Sequence, residues 1–560
     1  MRAANRYAMG TSLFLCALLA FPTTLAARTI TVDNDAPADF TTIQAAIDDA
    51  NDADEVVISP GTYTGPGNRD IDFNVKNITV RSIASNDPNV VAATVIDCNE
   101  QGRGFYLDGC DNASIEGLTI TNGLAEHGGG IYIEDSNATI SYCRVVYNKT
   151  QNGKTADYEL DDGGHGGGIC CTNSHVSISD SIINNNATGH GENAQGGSST
   201  KGGFGGGIYA DRASLLDLHG CTLADNTTGD GGDVRYSNWP DVGGHGGGVY
   251  SASDLPVVLD HCVVTGNVTG QGGTACAGQC SASSGSGGGI YCRSAIVKNS
   301  VIGWNATGEG RPAMFDEGSS GSGGGIYCSS IAIDNTQVSA NSTGSGGRGG
   351  NGGGIRCSSG SISNCTIVEN GVGVGESPDS QTGRGAGIWC GNDTSIINSI
   401  IWDNSDDQIF GCDCNSVSYC DIQYGNCIGF NGNISADPLF TFAPLGQYYL
   451  RQVATGHGTD SPCVDAGSDM AASLGMDIYT TRTDKLWDQG IVDMGYHYRQ
   501  TIADLNDDGV VNMKDVAILG SQWQQSPAVP SADIVPTTIG DGQVDIHDLA
   551  LLAEWWLWPW

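Results

Sequence analysis

A glycine-rich phrase closing on glycine and an aliphatic residue returns eight times, at Gly130-Ile131, Gly168-Ile169, Gly207-Ile208, Gly248-Val249, Gly289-Ile290, Gly325-Ile326, Gly354-Ile355 and Gly387-Ile388. The spacings are 38, 39, 41, 41, 36, 29 and 33 residues. A helical solenoid must keep the length of its helices and does not tolerate such unevenness, whereas short strands joined by loops of free length do. The chain therefore reads as a stack of β coils.

One unit, GGGIRCSSGSISNCTIVEN from Gly352 to Asn370, shows the grammar. Ile355 and Cys357 alternate onto one face of a first strand, and Ile367 lies in a second strand closed by Asn370. The closing asparagine recurs at Asn122, Asn148, Asn186, Asn226, Asn267, Asn305, Asn341, Asn370 and Asn404. Each stands five residues after a small residue or cysteine, at Gly117, Cys143, Ser181, Cys221, Cys262, Ser300, Thr336, Cys365 and Ser399. Asparagine tolerates left-handed backbone geometry and bonds to nearby backbone, so one per coil is expected to build a ladder at a bend.

Stacked strands lie about 4.8 Å apart, which brings equivalent side chains of successive coils together. Cys171, Cys292, Cys328, Cys357 and Cys390 all fall two residues after the aliphatic that follows glycine, so they point inward. Their spacing allows a Cys328 to Cys357 bridge or a ladder of buried thiols. The long segments Lys149 to His165, Ala187 to Phe204, Thr227 to His245, Val268 to Ser286 and Ala306 to Ser322 share one phase of the repeat and leave the stack at one corner. Binding or catalysis belongs on such loops if it is anywhere, although tolerated length alone also accounts for them. Their glycine content makes ordering costly, which suits mobile or ion-stabilised loops.

The apolar run from Met9 to Leu25, behind Arg2 and Arg6 and ending in small residues, reads as a secretory signal over residues 1–27. The expected location is secreted or at the cell surface. No later run is long enough to span a bilayer. The formal net charge of −39 repels nucleic acid and favours retention of divalent cations.

The glycine-glycine-aliphatic phrases, with TTIQAAIDDANDADEVVISPGTYTG at Thr41 to Gly65, resemble the right-handed parallel β-helix of the pectate-lyase-like superfamily. In that resemblance Ile43, Ala46 and Ile47 sit on a helix that caps the stack, followed by a strand through Val56 to Ile58 and a turn at Pro60-Gly61. The repeats are also similar to those of chlamydial polymorphic outer membrane proteins, which implies surface display and adhesion. DPLF at Asp437 to Phe440, SPCVDAGS at Ser461 to Ser468 and MGYHY at Met494 to Tyr498 resemble the closing segment of exported β-helix proteins. The expected fold is an all-β, right-handed parallel β-helix solenoid over 28–499, followed by a small α-helical calcium-loop module over 500–560.

DLNDDGVVNMKD, Asp504 to Asp515, places oxygen donors at loop positions 1, 3, 5, 9 and 12 through Asp504, Asn506, Asp508, Asn512 and Asp515. Gly509 permits the tight bend, and the Val510 carbonyl supplies position 7. A second copy keeps Asp541, Asp545 and Asp548, but counting back in register puts Thr537 and Ile539 at positions 1 and 3 and leaves Asp533 too far upstream. The pair resembles a type I dockerin. The resemblance implies bound calcium and a cohesin-like partner for residues 500–560.

The same superfamily contains lyases and hydrolases, so polysaccharide is an expected ligand and catalysis an open alternative to adhesion or carbohydrate recognition. Lyases of this fold use a basic residue beside a calcium-bridged uronate; Arg235, Arg311 and Arg384 are loop candidates without a matching phrase. The related hydrolases use aspartates with a GHG phrase, which makes Asp161, Asp162 and His165 the candidate catalytic set. Neighbouring residues of an extended segment face opposite ways, which counts against Asp161 and Asp162 acting as a pair.

Overall fold

The computed structural model describes residues 27–560 except 36, 157–158, 195–198, 235–239, 276–279, 312–317, 376–380, 444, 500–502, 506–510, 526–530, 535–541 and 555–560. The proposed signal therefore lies outside the described residues, as do Arg235, Asn506, Asp508, Val510 and Asp541. No helix among the described residues is long and apolar enough to cross a membrane.

Strands Ile131–Glu134, Asn137–Ser141 and Arg144–Val146 make three sides of one coil. Each pairs in parallel with its counterpart one coil on, Ile131 with Ile169, Asn137 with His175 and Arg144 with Ile182. Repetition builds three parallel sheets whose strands follow sequence order, with 13, 12 and 11 strands among the described residues. We term them A, B and C, containing Asn137–Ser141, Arg144–Val146 and Ile131–Glu134 respectively. The result is a parallel β-helix with a single continuous core. Ile131 and Ile133 on sheet C, Ala138 and Ile140 on sheet A and Val145 on sheet B fill one layer of it.

The corners explain the spacing grammar. A residue in the left-handed region turns the chain from sheet A to sheet B, as at Tyr142, Asp180, Gly220, His261 and Asn299. A second one turns it out of sheet B, at Tyr147, Asn185, Asp225, Gly266 and Trp304. The asparagine follows that second residue instead of occupying the left-handed position. From Asn148 to Asn404 each Nδ2 donates to Oδ1 of the asparagine in the next coil, over 2.9 to 3.1 Å. The same Oδ1 also accepts the backbone N–H of the preceding asparagine. Asn122 is out of register by one residue. It takes the left-handed position itself, and Gly123 N donates to Asn148 Oδ1 to start the ladder.

At the next corner the glycine phrases allow backbone to touch backbone. A Cβ on Gly167 would stand 2.4 Å from Gly206 O, and Gly166 has φ +64°, so neither position accepts a larger residue without strain. The long segments are likewise stacked on one another. Thr150, Thr188, Thr228, Thr269 and Thr307 each donate a hydroxyl to a glycine carbonyl of their own segment. Each accepts a glycine N–H from the following one.

The described cysteines settle into two patterns. Cys171, Cys292, Cys328 and Cys357 are free and buried; the last three stack in successive coils as a thiol ladder, while Ala210 and Ser251 separate them from Cys171. Cys390 instead bridges to Cys412, and Cys414 to Cys427.

Helix Ile43–Asp49 covers the first coil with Ile43, Ala46 and Ile47 fully buried, and strand Glu55–Ile58 pairs with Thr29–Val32. Beyond the last coil the chain doubles back along the corner between sheets A and B. Gly495 N donates to Asn398 O, Tyr496 N to Thr366 Oγ1 and His497 N to Asn335 Oδ1. The MGYHY phrase is thus a strap that crosses the coils in descending order. A separate small core joins helices Met513–Ser521 and Ile546–Glu554.

Asn226 sits mid-ladder, accepting from Asn186 and donating to Asn267 and to Ile183 O. Asn226→Ala is expected to cost about 2 to 4 kcal/mol because it strands buried donors and acceptors. The measurement is the urea midpoint, and a midpoint equal to that of the parent protein would show that the ladder adds no net stability.

Candidate functional site

The strap stops before it reaches the N-terminal coils and leaves the A-to-B corner open below it. Two adjoining cavities, about 130 Å³ and about 200 Å³, share Gly220 and Thr222 and make one groove. Pro88 and Val91, from the helix Pro88–Ala93 inserted between coils, wall one end. Leu445, Tyr496, Tyr498 and Arg499 wall the other. The floor is the row of left-handed corner residues Tyr142, Asp180, Gly220, His261 and Asn299.

Asp180 is half-buried, and its Oδ1 has no hydrogen-bond partner. Burial raises its pKa above the usual carboxylate value, while His219 pulls the other way. Gly220 makes room for it, since a Cβ there would stand 2.6 Å from Asp180 Oδ1. Arg144 lines the same cavity.

Two coils further on, Asp260 lies between two imidazoles. Nδ1 of His261 is 2.9 Å from one carboxylate oxygen and Nδ1 of His219 is 3.5 Å from the other, and the rings meet edge to face at 5.5 Å. Burial opposes the charge on Asp260, but His261 and Asn299 outweigh it and bring the pKa to about 2. The three residues form a cluster whose donor atoms lie within 4.8 Å of one another. It is the one group among the described residues arranged to hold a metal ion in this way.

A larger cavity of about 360 Å³ lies beneath the strap, lined by Asp465, Asp488 and Asp493. Two of its carboxylates are occupied. Asp493 accepts from Asp465 N, Gln452 and Thr481, and Asp488 accepts from Asp493 N and pairs with buried His497 at 2.9 Å. These groups hold the strap together, whereas Asp180 is left unspent.

The residues named from the GHG phrase lie elsewhere. Asp161 and Asp162 are exposed, and an oxygen of Asp162 accepts Lys201 N at 2.9 Å. No hydrogen bond or ion pair among the described residues joins either to His165. His165 stands in a stack with His127, Phe204 and Tyr209, and its Nδ1 accepts Phe204 N at 3.1 Å. His127 and His245 repeat that role toward the next coil. Outside sheet C the stack continues through Tyr209, Tyr250, Tyr291 and Tyr327, with ring planes within 8° of parallel. Faces so engaged are not free to take a sugar ring.

In the C-terminal unit Asp515 accepts Leu505 N and Asn512 N, at 2.7 and 2.8 Å. Asp548 accepts Ile534 N and Asp545 N, both at 2.7 Å. This internal symmetry equates Ile534 with Leu505 and therefore Asp533 with Asp504. The sequence count had instead put Thr537 first, because extra residues between Asp533 and Asp541 displace the register. Asp533 Oδ2 also accepts Gly542 N at 2.7 Å.

One family model agrees with the fold. A family model described as a right handed beta helix region matches residues 67–285. Among solved structures, pectate lyase Pel9A overlays with TM-score 0.36 at 12% identity, over 84% of this chain and 96% of that one. A rhamnogalacturonan lyase gives 0.35 at 12%, over 74% and 91%. ORF18 of Geobacillus virus E2 gives 0.32 at 12%, over 66% and 62%. No curated protein matches the chain.

Burial pushes the pKa of His165 down to about 3 and that of His245 to about 4, from 6.5. The unfolded chain then binds more protons than the folded one between pH 6.5 and those values, so both histidines destabilise the fold progressively as pH falls through that window. Phe204 occupies the equivalent place in its own coil, so His245→Phe is sterically acceptable. The variant is expected to lose less thermal stability than the parent between pH 6.5 and 4, and equal losses would show that His245 is not buried neutral.

Proposed function

We propose that the protein binds an acidic extracellular polysaccharide along the A-to-B corner groove and cleaves its glycosidic bonds. The observation that carries this reading is Asp180, a half-buried carboxyl in the groove lining whose pKa burial raises and whose enclosed Oδ1 has no hydrogen-bond partner. A carboxyl whose proton burial holds more tightly than usual can deliver it to a leaving glycosidic oxygen. In a chain of net charge −39, Arg144 and Arg499 put cationic side chains at the two halves of the groove, where sugar carboxylates would lie. The convergence of these groups favours cleavage over the purely adhesive role that the surface-protein resemblance implied.

The test is product release from a panel of uronate polysaccharides by the purified chain. Asp180→Asn is expected to lower kcat about 100-fold or more, as loss of a general acid does. Arg144→Gln is expected to raise KM with a smaller effect on kcat. Release that survives Asp180→Asn unchanged would remove Asp180 from the chemistry, and no release from any acidic polysaccharide would overturn the cleavage reading.

The repeated carboxylate arrangement supports a second role for residues 500–560. Asp504, Asn506, Asp508, Val510, Asn512 and Asp515 would ligate one calcium ion, and Asp541, Asp545 and Asp548 would serve a second, with Asp533 in the first position. Such a unit would dock to a cohesin-like partner on an exported assembly. Ion binding and ordering are coupled in small sites of this type. Lys514 is exposed in the first turn of its helix. Chelation is expected to make trypsin cleave the full chain there, and the same fragment masses with and without calcium would count against the ion.

A further inference from the structure

We propose that His219, Asp260 and His261 form a binding site for a first-row transition-metal dication at the edge of the corner groove, which His261 lines. The inference goes beyond the polysaccharide reading and does not depend on it, because the ion can bind whether or not a sugar is cut.

Donor type and geometry argue together. Two imidazole nitrogens and one carboxylate suit zinc, cobalt, nickel or iron(II) far better than calcium, which prefers six to eight oxygens. A metal bonded to such ligands at about 2.0 to 2.2 Å holds neighbouring donor atoms roughly 3 Å apart. Here the imidazole nitrogens already stand 2.9 and 3.5 Å from the carboxylate oxygens. Both approach Asp260 through Nδ1, one at each carboxylate oxygen, which keeps the three donor groups within 4.8 Å of one another.

Nearby groups treat Asp260 as a fixed ligand would need. Asn299 Nδ2 donates to Asp260 Oδ1 at 2.9 Å, and Asn335 Nδ2 donates to Asn299 Oδ1 at 3.0 Å. His497 N in turn donates to Asn335 Oδ1 at 2.7 Å. This relay of amides anchors the carboxylate to the strap and limits its rotation. Partners of that kind orient metal ligands and tune their affinity. A second observation points to a ligand. Both ring nitrogens of His261 are enclosed in the groove lining: Nε2 has no partner, and Nδ1, although 2.9 Å from Asp260, is not aligned for a hydrogen bond. A cation at Nδ1 would engage one of them.

Elsewhere the fold shows what a His–Asp pair looks like without the third group. His175 Nε2 lies 3.3 Å from Asp217 Oδ2 on the exposed face of sheet A, where both side chains are about half exposed. That pair serves as an internal control.

The experiment uses the full chain, stripped with chelator and then held in calcium so that the C-terminal loops do not compete for the probe. Cobalt(II) is titrated with its visible absorption as readout, and zinc uptake is measured by elemental analysis after desalting. The expected result is one equivalent of metal. His261→Ala, His219→Ala and Asp260→Asn each abolish it, and His175→Ala leaves it unchanged. Asn299→Leu, which removes only the orienting amide, is expected to weaken zinc about 10-fold to 100-fold. His219 is largely exposed, so His219→Ala tests the site even if substitution of the more enclosed His261 disturbs the corner. Failure to bind either metal would overturn the proposal. So would uptake that persists in His219→Ala, which would assign the metal to other ligands such as a cysteine. None of these readouts involves polysaccharide, so the cleavage reading stands or falls separately.

Discussion

The coils from Asn148 to Asn404 each depend on a side-chain amide enclosed at the corner leaving sheet B. The asparagine ladder runs inside the molecule, with seven of its eight members from Asn148 to Asn404 fully buried. It satisfies the backbone N–H that the left-handed corner would otherwise orphan. An unpaired buried amide costs a substantial part of a marginal stability, so the sequence repeats asparagine even where everything around it changes. Because each amide serves only its neighbours, coils of different length stack without disturbing one another, which reconciles uneven spacing with a regular core.

The second constraint is close contact between backbones. Glycines at the corner entering sheet C let successive coils touch main chain to main chain, and the threonine hydroxyls extend that contact outward into the long segments. Segments expected from composition to be costly to order are built into the stack over their described parts. Glycine raises the entropy lost on folding, but here its missing side chain admits inter-coil hydrogen bonds that offset the loss.

Much of this was legible in the residues themselves. The period-two core and the stacking of asparagine and cysteine follow from pattern alone, and the capping helix with Ile43, Ala46 and Ile47 from the family resemblance. The one-residue slip at Asn122 did not, because asparagine fits both the left-handed position and the slot after it. The bridge from Cys390 to Cys412 was hidden because it joins coils of unequal length. Asp533 was misplaced for a related reason, an insertion between equivalent ends. The groove was the largest omission. Its floor residues each stand one place before the small residue or cysteine of the repeat, at Asp180 before Ser181 and His261 before Cys262. That column reads as arbitrary surface until the strap and the helix Pro88–Ala93 wall it in. The GHG phrases drew attention instead, and their imidazoles are spent on backbone N–H groups and ring stacking.

The ladder has one more property. All of its amides are oriented alike, with one N–H of each directed to the following coil and each oxygen to the preceding one, ending on Gln408 Oε1 at 2.7 Å from Asn404 Nδ2. Their dipoles therefore add along the solenoid axis instead of cancelling as strand dipoles do within a sheet, and each bond polarises the next. The ladder thus has an electrical direction before any charged residue is counted: the coil of Asn404 is the positive end of a row of aligned amides, and the coil of Asn148 the negative.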